Sequence, residues 1–222
     1  MSRNTVLAVA SVTAILKSLL DNMLVRQLAQ VSLGDVMVTA LSPDRIQVGA
    51  EERTQLNLYL YRITPNSGRY RSGTVGARES SAATLPLALD LHYLLSAYGE
   101  RELHAEMLLG CAIECLQENQ VLPQEQLRSL LASIASAHGS GGPNPILELL
   151  AASSLADEVQ PLKISPEFLN TEEMSRLWSS LQAHARPSMT YQVSMVLLGG
   201  EQGVMNDAPT IDKIQGTLGE LR

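Results

Sequence analysis

Two runs of alternating apolar and polar residues dominate the hydrophobic pattern. In residues 54–63, TQLNLYLYRI, Leu56, Leu58 and Leu60 fall on one side, with Asn57, Tyr59 and Tyr61 on the other. From 85 to 95 the scheme repeats: Leu85, Leu87, Leu89 and Leu91 share a face, and Asp90 and His92 take the opposite one. A period of two predicts strands buried on one side and polar or aromatic on the other. Together they make a leucine wall that other parts of the chain must cover. The stretch between them, TPNSGRYRSGTVGARESSAAT, has no apolar period and carries Arg69, Arg71 and Arg78 among Gly and Ser. It is too long for a hairpin turn, and loops of that length in compact domains carry function or lack fixed structure.

The remaining pattern supplies the cover. Val12, Ile15, Leu16, Leu19, Leu20, Met23 and Leu24 recur at three- and four-residue steps, predicting an amphipathic helix over residues 5–30. A short strand at 36–41 ends at Ser42-Pro43-Asp44, a turn signal, and 45–53 reads as an irregular connection. Gly99 introduces a helix over about 100–118, with Glu100 and Glu102 suited to its positive end, and Pro123 precedes a third over about 124–137. HGSGGPNP at 138–145 is a connection, and 146–156 is a candidate short helix. Pro161 and Pro166 restrict 161–169 to an edge strand or extended arm. Asn170-Thr171-Glu172-Glu173 reads as a capped helix start, and residues 188–198 as a last strand in which Met189, Tyr191, Val193, Met195 and Leu197 alternate with polar residues. The expectation is one α+β domain over residues 1–199: a mostly antiparallel four- to five-stranded sheet with helices packed on one face. The polar tail 200–222 is expected to be mobile or to order only on assembly.

Composition narrows the function. A net charge of −7 argues against nucleic acid as a partner. With two cysteines no disulfide framework is needed, and Cys111 and Cys115 sit on an apolar helical stripe where free cysteine acts as a small hydrophobe. The N-terminal apolar run is broken by Ser11, Thr13, Lys17 and Ser18, so neither a signal peptide nor a membrane span is expected, and a cytoplasmic product is the default.

Candidate chemistry is sparse. His104-Ala-Glu106 with Cys111 and Cys115 lacks the spacing of a zinc deaminase, and no phosphate-binding glycine loop or serine elbow is present, so no metal, cofactor or catalytic residue is assigned. Asp90 and His92 share a strand face and could act as an acid–base pair, but a hydrogen-bonded polar face at a subunit contact accounts for them more simply. Tyr59, Tyr61 and Tyr93 near Arg62 fit a protein–protein contact, since aromatics and Arg are enriched there; tyrosines covering a second layer of the same domain fit as well.

Several segments in order, TAILKSLLDNML, NLYLYRITPN, LPLALDLHYLLSAYG, LLG and LWSSLQAHARPSMTYQVSMVLL, resemble the cap or tail-terminator family of extracellular contractile injection systems, over residues 5–199. These phage-tail-like particles comprise an inner tube, a contractile sheath, a baseplate and a cap. The resemblance implies a tail-terminator-like fold and a structural protein, with no enzyme activity and no cofactor. The implied partners are tube protein, sheath protein and further copies in a six-fold ring, without nucleic acid or membrane. Assembly would occur in the cytoplasm before release as part of a particle. The family's most recognisable motif falls on Tyr59, Leu60, Tyr61, Arg62, Pro65 and Asn66, then Asp90, Leu91, His92 and Tyr93. The partner-interface candidates are therefore Tyr59, Tyr61, Arg62, Asn66, Arg69, Arg71, Arg78, Asp90, His92 and Tyr93. The alternatives are an assembly chaperone or adaptor, and a small hydrolase using Asp90 and His92.

Overall fold

A computed structural model describes residues 3–28, 35–66, 87–136 and 161–197. Arg69, Arg71 and Arg78, the connection at 138–145, the candidate helix 146–156 and the tail 200–222 lie outside the described residues. The elements are α1 (Arg3–Leu28), β1 (Met37–Thr39), β2 (Gln55–Pro65), β3 (Leu87–Tyr98), α2 (His104–Glu118), β4 (Val121–Leu122), α3 (Gln124–Ser136), β5 (Leu162–Glu167), α4 (Thr171–Ser180) and β6 (Ser188–Leu197).

The strands form one mixed sheet in the order β1-β2-β3-β6-β5-β4. Only β1 and β2 run parallel; the other neighbours are antiparallel. The α+β class and the antiparallel bias match the sequence pattern. Six strands replace the four or five expected, because β4 is two residues long and too short to carry a period. β5 pairs with β4 only at Leu162 and Lys163, which leaves Pro166 beyond the end of β4, where no partner there needs its missing N–H.

The leucine face behaves as the alternation demands. Leu56, Leu58, Leu91, Leu95, Ile164 and Val193 are at most 2% exposed and belong to one core. α1, α2 and α3 cover it through Val12, Leu16, Leu20, Leu108, Ala112 and Leu127, each fully buried or nearly so. Burying each of these valine and leucine side chains contributes about 1.5–3 kcal/mol, which gives the three helices a shared reason to pack there. By length and composition alone Leu7–Arg26 of α1 could cross a membrane, although Ser11, Thr13, Lys17 and Ser18 interrupt its apolar run. Its apolar stripe is instead spent in this core, with Lys17 and Asp21 paired at 3.5 Å on the wet side.

The helix expected from residue 100 starts at His104, because Leu103 takes the left-handed backbone (φ 68°), out of the helical path. Glu100 and Glu102 thus precede the helix instead of facing its first turn. Gly99 is needed for close approach: a Cβ there would lie 2.7 Å from the Ala105 nitrogen. α4 opens as the sequence predicts, with Asn170 accepting from the Glu173 N–H and the Glu173 side chain accepting from the Asn170 N–H. Helices do not pack on one face alone, however. The connection between β5 and β6, which includes α4, lies over the other face: Arg186 sits 5.6 Å above the Tyr98 ring, and Met174 Sδ is 4.0 Å from Ser188 Oγ. Trp178, Leu94 and Tyr98 are each buried to 3% exposure or less outside the main core.

Candidate partner interface

The polar face of β2 and β3 is built on a break in register. Leu60 pairs with Tyr93 across β3, but Arg62 pairs with His92, so Tyr61 is an extra residue at a β-bulge. Strict alternation would send Arg62 to the leucine face beside Leu60. The bulge shifts the parity, and two consecutive side chains, Tyr61 and Arg62, reach the polar face. There they meet one carboxylate. Tyr61 OH donates to Glu167 Oε2 at 2.9 Å, and Arg62 Nη2 lies 3.8 Å from Glu167 Oε1. Burial, and then the bond to Glu167, push the Tyr61 phenol well above its usual range.

His92 completes the cluster from β3. Its Nδ1 lies 2.9 and 3.0 Å from the two Glu167 oxygens and its Nε2 lies 2.8 Å from Thr64 Oγ1. A carboxylate only accepts, so Nδ1 carries the hydrogen. The Tyr61 and His92 rings are 6.1 Å apart, tilted by 56°. Asp90, next on the same face, accepts from Asn66 Nδ2 at 2.9 Å and from Ser194 Oγ at 2.6 Å. Among the described residues no hydrogen bond joins Asp90 to His92; the acid beside the imidazole is Glu167, 75 residues away in the chain. Instead of an acid–base pair, Asp90 and His92 belong to two separate polar knots. Together they bridge β2, β3, β5 and β6.

Chemically, Thr64, His92 and Glu167 line up as hydroxyl, imidazole and carboxylate. The order matches a hydrolytic relay, but His92 is only 3% exposed and Glu167 is shared with Tyr61 and Arg62. The arrangement acts as a brace across strands. Among the described residues no group of three or more His, Cys, Asp or Glu is placed to hold a metal ion. Cys111 and Cys115 are free thiols, and burial pushes the Cys115 thiol up to about 11, in keeping with an inert small hydrophobe.

The candidates separate cleanly. Tyr59, Tyr61 and Asn66 are half-buried on the polar side, and Arg62 is exposed. Asp90 and His92 are buried within the chain's own network. Tyr93 is corrected: it belongs to the leucine face, is fully buried, and its OH lies 2.9 Å from Thr13 Oγ1 on α1. Residue 93 falls on the parity of Leu91 and Leu95, and that spacing alone could have excluded it from a partner surface. Glu167, Thr64 and Ser194 were not singled out from the sequence. Strand parity within β5 gave one signal: Leu162 and Ile164 face the core, and Lys163, Ser165 and Glu167 alternate with them.

The family model for the Pvc16 N-terminal domain matches residues 11–210. No curated protein matches the sequence. Among solved structures, the sheath/tube terminator of an extracellular contractile injection system, PVC, in its extended state is similar at 14% identity and a TM-score of 0.43, covering 92% of this chain and 62% of that one. The tube-terminating cap of the anti-feeding prophage is similar at 13% identity and a TM-score of 0.41, covering 87% of this chain and 59% of that one. The chain therefore spans about three fifths of the length of each.

Proposed function

The chain belongs to the Pvc16 N-terminal domain family, and from that premise we propose that it is a structural cap, a tail terminator that ends the inner tube and sheath of a contractile injection particle and so limits its length. The family match across residues 11–210 carries this reading. The polar face supports it from the physical side. His92 is engaged with Glu167, and Asp90 with Asn66 and Ser194, so what faces outward is Tyr59, Tyr61 and Arg62, a surface for contact and not a centre for chemistry. The cap works by shape, as a binding protein and not an enzyme.

A tube of stacked rings grows because the top of each ring offers what the bottom of the next accepts. A terminator must match the last ring on one face and present no equivalent on the other. In this reading the chain forms a six-fold ring, contacts tube and sheath subunits, assembles in the cytoplasm and remains in the released particle. Arg69, Arg71 and Arg78 follow Arg62 in the chain and are assigned to the same contact from sequence alone. Size measurement tests the assembly. The chain is expected to elute far above its 24.0 kDa mass, alone or once tube protein is added. Elution as a monomer beside its tube protein contradicts the ring. An assembly chaperone would bind tube subunits yet be missing from purified particles, which protein mass spectrometry of those particles decides.

A further inference from the structure

We propose that Arg62 is a receptor for a side-chain carboxylate on the protein subunit beneath the cap, and that Glu167 is its positioning residue. The inference rests on the cap reading and names the chemistry of its contact. Its first support is the bulge at Tyr61, which takes Arg62 from the parity of the leucine face and delivers it to the polar side. A bulge that re-aims one side chain costs regular ladder pairing, and such features are retained where the re-aimed group has work to do.

The second support is how the guanidinium is held. It carries five N–H donors, yet its one contact among the described residues is ionic, to Glu167 Oε1 at 3.8 Å, too long for a hydrogen bond. The oxygens of Glu167 are meanwhile taken at 2.9–3.0 Å by Tyr61 and His92. Glu167 therefore orients Arg62 electrostatically without occupying its fork. Exposure follows the same gradient: side chains are 4% exposed at His92, 16% at Glu167 and 55% at Arg62. The cation stands on the wet side of a dry, cross-braced base.

A planar fork held in this way matches a carboxylate through two parallel N–H···O bonds. One guanidinium can serve two carboxylates on different edges, so Glu167 does not compete with an incoming acid. The chain's net charge of −7 disfavours a polyanion such as nucleic acid as the occupant; a single protein acid needs only one presented cation. Tyr61, its neighbour in the chain on the same face, adds the tyrosine and arginine composition common at binding hot spots.

The test uses the full chain and particles purified from cells lacking it, with occupancy of particle ends measured against chain concentration. Arg62→Glu is expected to raise the half-saturating concentration by about tenfold or more, and Arg62→Lys, which keeps the charge but loses the fork, by a few-fold. Glu167→Gln keeps the acceptor for Tyr61 but removes the charge that orients Arg62, and is expected to raise it by about threefold at low salt. Equal urea midpoints for Arg62→Lys and wild type show that the loss is not one of folding. End binding by Arg62→Glu at the wild-type concentration overturns the proposal while leaving the cap reading intact. Failure of the wild-type chain to bind ends at all overturns the cap reading and this inference with it.

Discussion

The two faces of the sheet solve the same problem, holding four strands in register, by different physics. On the leucine side, Leu56, Leu58, Leu91, Leu95, Val193 and Ile164 are interchangeable members of one apolar layer under three helices. Packing of that kind is non-directional and summed over many small contacts. On the polar side, a handful of atoms do the joining. Glu167 reaches Tyr61, Arg62 and His92, and Asp90 reaches Asn66 and Ser194. Each bond there is directional, and loss of one partner strands another in a dry site. A core can be described by its composition; a network must be described by its members.

Alkali should have the largest effect, and on both faces, since burial raises the Tyr61 and Tyr98 phenols of the polar side as well. Burial raises Tyr191 from 10.0 to about 12 and Cys115 from 9.0 to about 11, and both lie in the leucine-face core. Raised folded-state values mean that their stabilisation is complete below the unfolded values and is lost as pH rises through the folded ones. Urea midpoints are expected to hold to about pH 9 and to fall steeply between pH 9 and 12. Next in size, Leu91→Ala should cost about 2–5 kcal/mol by urea unfolding, because it opens a cavity in a tightly packed layer. His92→Ala should cost about 1–3 kcal/mol by leaving Thr64 without its partner and Glu167 with only Tyr61 and Arg62. The double variant with Glu167→Gln should depart from additivity by about 0.5–3 kcal/mol, whereas Leu91→Ala combined with a distant core change should add. Additive losses on the polar side would mean that it is not a network. Tyr93→Phe should cost about 0.5–1.5 kcal/mol through its bond to Thr13. Arg62→Ala should stay within about 0.5 kcal/mol in stability, the smallest effect, and act on particle binding alone.

The same contrast governs what could be read in advance. Periods of two and three-to-four placed β2, β3, β6, α1 and α2 close to their observed bounds, because the core that selects them is itself a matter of parity, and Pro123 marked the start of α3. Asn170 and Glu173 announced α4 by a local hydrogen-bond pattern. The bulge was only half legible: alternation in TQLNLYLYRI fails at Arg62, which takes the leucine parity, and at Ile63, which takes the polar one, but only the pairing of Arg62 with His92 places the extra residue. Glu167 was missed for a related reason. Its partners lie 75 to 106 residues away, and no local spacing signals a contact between segments so far apart in the chain. Tyr93 was misassigned by grouping aromatics by type when the strand's own parity already placed it among the leucines.

The central proposal is that this chain ends particles by occupying their growing end. Electron microscopy of particle lengths, in cells with and without the chain, tests this directly. Without it, lengths are expected to broaden or run long, and to return to one narrow peak when the wild-type chain is restored. An unchanged narrow peak in its absence would contradict the account.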